Sequence, residues 1–149
     1  MSKDRLFAGV DLGGTNMQFA VVSGDGKIIS RAKRKTKAEE SREAVIGRLV
    51  SGIEEACTAA GTTPRGLVAV GIGAPGAVDP DEGVVLEAVN LRWDDVPLAS
   101  SLQKRLGVPV FLDNDVNVAV FGENRAGAGR NARDLLGVWV GTGIGGGLI

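Results

Sequence analysis

Asp11-Leu12-Gly13-Gly14-Thr15-Asn16 is the stretch whose reading decides the fold. Ahead of it, Leu6-Phe7-Ala8-Gly9-Val10 is an unbroken apolar run, which predicts a central strand covered on both faces; behind it, Met17 to Val22 predicts a second strand. A tight glycine turn therefore joins two strands. Adjacent glycines let main-chain N–H groups approach a ligand with no side chain in the way. Thr15 adds a hydroxyl, and Asp11 sets a carboxylate at the strand end. These groups suit a phosphate accompanied by a hydrated metal ion. A plain hairpin turn accounts for the glycines but not for an acidic residue closing an apolar strand.

The composition around this turn narrows the chemistry. The 149 residues are enough for one domain with a real core. No apolar segment reaches the ~18 residues of a membrane span, and Met1-Ser2-Lys3-Asp4-Arg5 runs into a strand with no signal-peptide apolar region, so a cytoplasmic protein is expected. A net charge of -1 argues against a nucleic-acid or membrane-surface partner. The basic run Arg31 to Lys37 reads as a solvated edge strand rather than a binding patch. Cys57 is the only cysteine and falls on the apolar side of a predicted helix, as a small core residue. With no histidine and no tyrosine, a general base has to be Asp, Glu or, less suitably, Lys, and every Ser-His or Cys-His scheme is excluded. Glycine runs to 23 residues, about 15% against a usual ~7%, without a collagen-like period, so several close backbone approaches are expected.

Further along, Ser23-Gly24-Asp25-Gly26 predicts a hairpin turn into a third strand, Lys27 to Lys35. Val45, Ile46, Leu49, Val50, Ile53, Ala56, Cys57 and Ala60 make one stripe on a helix from Ser41 to Ala60, closed by Gly61. Leu67 to Gly73 predicts another strand apolar on both faces, ending in Gly73-Ala74-Pro75-Gly76. A short hairpin spans Ala77 to Leu86, an irregular segment carries Asn90-Leu91-Arg92-Trp93, and Leu98, Leu102 and Leu106 mark a helix stopped by Gly107. Val108 to Leu112 is a strand with Asp113-Asn114-Asp115 at its end, followed by a helix from Val116 to Gly127, a last strand from Leu135 to Val140, and the glycine-rich Gly141 to Gly147. The order predicts an α/β fold. Three strands pair in an antiparallel meander, later ones join in parallel, and helices lie on both faces. Ligands gather beyond strand ends in such sheets. The chain stops on Leu148-Ile149, in mid-element, so it reads as the N-terminal lobe of a two-domain protein whose second lobe is absent.

Three further pieces bear on chemistry. Gly141-Thr142-Gly143-Ile144-Gly145-Gly146-Gly147 satisfies a dinucleotide fingerprint by spacing, but no helix pattern or downstream acid follows. A second phosphate loop, with Thr142 as hydroxyl donor, fits better, and no P-loop sequence is present. Asp115 falls in the first turn of a helix, where the macrodipole favours a negative charge; it is either a base for an attacking hydroxyl or a simple N-cap. Asn114 suits a polyol or a turn, the Gly73 to Gly76 loop a sugar edge or a strand end, Asn90 and Trp93 a sugar wall or a loop anchor, and Glu123 a structural role.

Asp11-Leu12-Gly13-Gly14-Thr15-Asn16, Gly71-Ile72-Gly73-Ala74-Pro75-Gly76, Asn90-Leu91-x-Trp93, Asn114-Asp115-Val116-Asn117 with Gly122-Glu123, and the Gly141 to Gly147 run, in that order, closely resemble the N-terminal half of the ROK family. These are bacterial sugar kinases and related repressors of the hexokinase and actin-like ATPase superfamily. The resemblance implies a ribonuclease H-like domain with a mixed five-stranded core sheet. It implies an ATP-dependent kinase acting on a hexose 6-hydroxyl, a glucokinase first, with an N-acetylhexosamine kinase or a sugar-sensing transcriptional repressor as alternatives. Against the repressor, the chain begins directly at the first strand, leaving no room ahead of it for a helix-turn-helix. Asp11 would help place Mg²⁺; Gly13, Gly14, Thr15, Thr142 and Gly143 would hold the nucleotide phosphates. Asp115 would be the catalytic base, and Gly73, Ala74, Pro75, Gly76, Asn90, Asn114 and Asp115 would contact the sugar. The resemblance also implies a homodimer in the full-length protein and a structural zinc site beyond residue 149. The 149 residues alone are expected to be inactive.

Overall fold

The computed structural model describes residues 4–140 and 144–149. Strands β1 (Leu6–Leu12) and β2 (Asn16–Ser23) pair antiparallel about the glycine turn, with Asp11 opposite Gln18 and Leu12 opposite Met17. β3 (Ile28–Lys35) completes the meander at the sheet edge, where Arg31, Lys33 and Lys35 are exposed as the edge reading expects. Helix α1 (Arg42–Ala59) follows. The Ser41 hydroxyl accepts from the Ala44 N–H at its start, and Gly61 takes a left-handed φ of 73° just beyond its end. Its stripe of Val45, Ile46, Leu49, Ile53, Ala56 and Cys57 is buried against the sheet. Gly52 belongs to that stripe for steric reasons: a Cβ there would stand 2.2 Å from the Phe19 ring.

β4 (Ala69–Ala74) then pairs in parallel with β1. β5 (Ala77–Asp79) and β6 (Val84–Ala88) form the expected short hairpin, with Asp79 accepting the N–H groups of Asp81 and Glu82 in its turn. β7 (Trp93–Val96) adds a third strand to this small sheet, where the sequence suggested irregular chain. Trp93 is buried, which makes it the anchor of the segment and not a sugar-facing wall. Helix α2 (Leu98–Leu106) buries Leu98, Leu102 and Leu106 and stops at Gly107, with φ 75°. β8 (Val110–Asn114) joins β4 in parallel, so the main sheet runs β3-β2-β1-β4-β8. Helix α3 (Asp115–Ala126) leaves its end, and β9 (Leu136–Val140) and β10 (Ile144–Leu148) close the chain as a separate antiparallel pair.

Two expectations are corrected. β1 and β4 are not covered on both faces: Ala8, Val10, Leu12, Val70 and Ile72 are buried, whereas Gly9 and Gly71 are open and Phe111 on β8 is 65% exposed. Glycine makes a run look apolar without supplying a side chain that needs cover. α1 and α2 bury one face of the sheet, and α3 covers the other only near the strand ends, at Gly73. The last strand does not extend the main sheet either. Its partner is β10, formed from the glycine run itself, whose Gly145 and Gly147 leave room for Val116 and Val120 of α3. Among the described residues, no helix is long and apolar enough to cross a membrane.

Candidate active site

The parallel strands β1, β4 and β8 end on the same side of the sheet, so Asp11, the Gly73–Gly76 loop and Asp115 are delivered to one rim. At the end of β1, the Gly13 N–H donates to the Asn16 carbonyl at 3.0 Å, which tightens the turn and leaves Thr15 exposed at its tip. Gly14 sits so close to Asn90 that a Cβ would lie 3.0 Å from the Asn90 Cβ. The missing side chain is what lets the Gly13–Thr15 turn close on the loop that carries Asn90.

Asp115 is placed with equal care. The N-cap of α3 is Asn114, whose Oδ1 accepts the N–H groups of Val116 and Asn117 at 2.9 and 3.3 Å. The N-cap role open to Asp115 in the sequence thus belongs to its neighbour. Asn114 Nδ2 donates to the Gly76 carbonyl at 2.9 Å, so this side chain ties the helix start to the Gly73–Gly76 loop. Gly73 lies directly under the helix: a Cβ would meet Val118 Cγ2 at 2.6 Å and the Asp115 Cα at 3.2 Å. Gly76 has φ 88°, and a Cβ there would stand 2.0 Å from the Glu87 carbonyl oxygen. Gly76→Ala is therefore expected to lose roughly 1–2 kcal/mol from the left-handed backbone alone, with more from the clash. Thermal unfolding should show a lower Tm, and an unchanged Tm would mean that the loop absorbs the added methyl.

Asp11, Pro75, Gly76, Asn90, Asp115 and Trp139 line one cavity of about 680 Å³. A concavity of about 610 Å³ on the open sheet face, between Gly9 and Arg31, includes Asp11 but not Asp115. The first holds both acids and has the size of a small-molecule site. Asp11 is open to solvent as a residue, yet the cavity walls withhold part of its carboxylate's hydration. That desolvation raises its pKa above the ordinary carboxylate value; a hydrogen bond from Gln18 at 3.3 Å lowers it, and the nearby charge of Asp115 raises it further. Two carboxylates close enough to repel one another are a suitable place for a divalent cation. Among the described residues no three His, Cys, Asp or Glu side chains gather to hold a metal by themselves, so such a cation would take its remaining ligands from phosphate and water, as Mg²⁺ commonly does.

Ala74 is fully buried, and its side chain does not reach the cavity; Gly73 acts from beneath. Gly141, Thr142 and Gly143 lie outside the described residues, and the rest of that run is strand β10 rather than loop. Glu123 accepts the Ala128 N–H at 2.8 Å at the end of α3, in the structural role expected of it. Trp139, Val140 and Gly145 form a wall that sequence reasoning missed. The sequence carries no signal for it, because Leu136–Val140 is an apolar run that reads as a covered strand, whereas Trp139 is 38% exposed in the fold.

The chain has characterised relatives among sugar kinases and repressors. It is 42% identical over 142 residues to a glucokinase of Thermotoga maritima, covering 95% of this chain and 43% of that protein. It is 38% identical over 144 residues to a putative xylose repressor of a Caldicellulosiruptor species, covering 97% of this chain and 36% of the other. Among solved structures, a ROK family glucokinase from Streptomyces griseus in complex with glucose and AMPPNP superposes with a TM-score of 0.83 at 39% identity, over 97% of this chain and 44% of that one. The chain thus spans less than half the length of these proteins. The ROK family pattern itself matches residues 7–149, nearly the whole sequence, and the chain belongs to the ROK family.

Proposed function

We propose that this chain is the sugar- and phosphate-binding lobe of an ATP-dependent hexose kinase, with glucose as the first substrate to test. The observation that carries the reading is the meeting of Asp11, the Asn90 loop and Asp115 around one cavity beside the Gly13–Thr15 turn. In phosphoryl transfer the protein's work is mostly positioning and charge stabilisation. The glycine turn would present main-chain N–H groups to the donor phosphates, and Asp11 would hold Mg²⁺ through water. Bound there, the metal would offset phosphate charge. Gly76 and Asn90 would orient the hexose, and the Asp115 carboxylate would accept the proton of the 6-hydroxyl as its oxygen attacks the terminal phosphoryl group. Closure of a second lobe over the cavity would exclude water as the competing acceptor.

Likeness to xylose repressors supports a second reading, in which the same cavity senses a sugar without turning it over. An ADP-release assay of the full-length protein with Mg-ATP separates the two, using glucose, fructose, N-acetylglucosamine and N-acetylmannosamine. Hexose-dependent ADP release is expected, with glucose the best acceptor. Sugar binding without release, together with a gel shift of DNA at physiological salt, would favour the repressor.

A further inference from the structure

Only three buried polar or charged side chains occur among the described residues: Ser23, Ser30 and Thr36. The first two have local structural uses. Ser23 bonds within the β2–β3 turn, and Ser30 donates to the Ala56 carbonyl at 2.6 Å, tying β3 to α1. Thr36 is different, because both of the bonds it donates end on the Gly13–Thr15 turn. Its Oγ1 donates to the Gly13 carbonyl at 2.6 Å, and its main-chain N–H donates to the Thr15 carbonyl at 2.9 Å. Thr36 lies just beyond β3, more than twenty residues away in sequence, and is fully buried.

We infer that Thr36 is a positioning residue for the nucleotide, acting through the Gly13–Thr15 turn; this rests on the kinase reading above. In a trans peptide plane the C=O and the following N–H point in opposite directions. A hydroxyl that draws the Gly13 carbonyl down toward the core therefore turns the Gly14 N–H outward, to the side where a phosphate approaches. Without that donor the Gly13–Gly14 plane is less restrained, because glycine on both sides imposes little conformational preference. Thr36 is itself fixed. Arg48 of α1 donates from Nη1 to the Thr36 carbonyl at 3.2 Å and is held in turn by an ion pair with Glu40, which also pairs with Lys37. The chain of contacts runs from helix α1 to the turn; none of its residues lines the sugar cavity, and it meets that cavity only where Gly14 packs against Asn90.

The test is steady-state kinetics of the full-length protein with Thr36→Val, which keeps the shape and removes the donor. KM for ATP should rise roughly tenfold, as for loss of one buried hydrogen bond, with KM for glucose changed far less; Thr36→Ser should restore wild-type values. Equal rises in both KM values, or no rise in either, overturns the inference. Should Thr36→Val not fold, Arg48→Gln takes its place, and a KM for ATP that stays at the wild-type value overturns the inference as well. If wild-type protein turns over no hexose, the kinase reading fails on its own, and Mg-ATP titration then reads the clamp. Weaker nucleotide binding by Thr36→Val supports it; equal binding, or none by the wild type, overturns it.

Discussion

Asp115→Asn in the full-length protein is expected to lower kcat for glucose phosphorylation by ~10²–10⁴-fold, the span assigned to a positioned general base, and to leave glucose affinity nearly unchanged. The asparagine has the same shape, and its oxygen can still accept the Val116 N–H that Asp115 Oδ1 now accepts at 2.9 Å. The backbone at this point is fixed by other groups: Asn114 caps the helix and grips the Gly76 carbonyl, and Gly73 lets α3 seat against β4. The substitution thus removes a proton acceptor without moving the site. Kinetics paired with a glucose titration check this. A near wild-type kcat excludes Asp115 as the base, and a parallel loss of sugar affinity reassigns it to binding.

Much of this site is visible in the sequence because its makers are punctuated. An acid that ends an apolar strand, two adjacent glycines, and an Asn-Asp pair between a strand and a helix are each local signals, and the parallel order of β1, β4 and β8 follows from helices between apolar runs. Other parts are illegible for definite reasons. Gly9 and Gly71 count as apolar in a run yet present nothing to bury, so the open face of the sheet cannot be told from a covered one by pattern. β10 contains three consecutive glycines, which carry no strand preference; the strand exists because Gly145 and Gly147 make room for α3. Thr36 carries no signal either. Its meaning depends on two carbonyls that the β2–β3 pairing brings beside it, and only the folded meander shows that contact.

Asp11→Asn is the other substitution with a large expected effect, and it should separate activity from stability. Activity falls, by ~10²-fold or more in kcat/KM for Mg-ATP if the carboxylate is worth as much as one preorganised electrostatic group in other active sites. Stability moves the other way. The folded-state pKa of Asp11 is raised above its ordinary value by desolvation and by the charge of Asp115, despite the bond from Gln18. A raised carboxyl means that the folded state holds its proton more tightly than the unfolded chain. Ionisation therefore costs the fold stability, beginning as pH climbs past the ordinary value of 3.8 and complete once pH exceeds the raised one. Asparagine carries no charge and can still accept from Gln18. Without ligand, the Tm of Asp11→Asn minus that of wild type should be smallest in acid and grow toward neutral pH, where the variant is the more stable protein. Saturating Mg-ATP should reverse the order, because the wild type alone gains the cation's stabilisation. A gap that shrinks as pH rises would mean that the cavity favours the Asp11 charge, and the placement of Mg²⁺ beside two mutually repelling carboxylates would lose its physical basis.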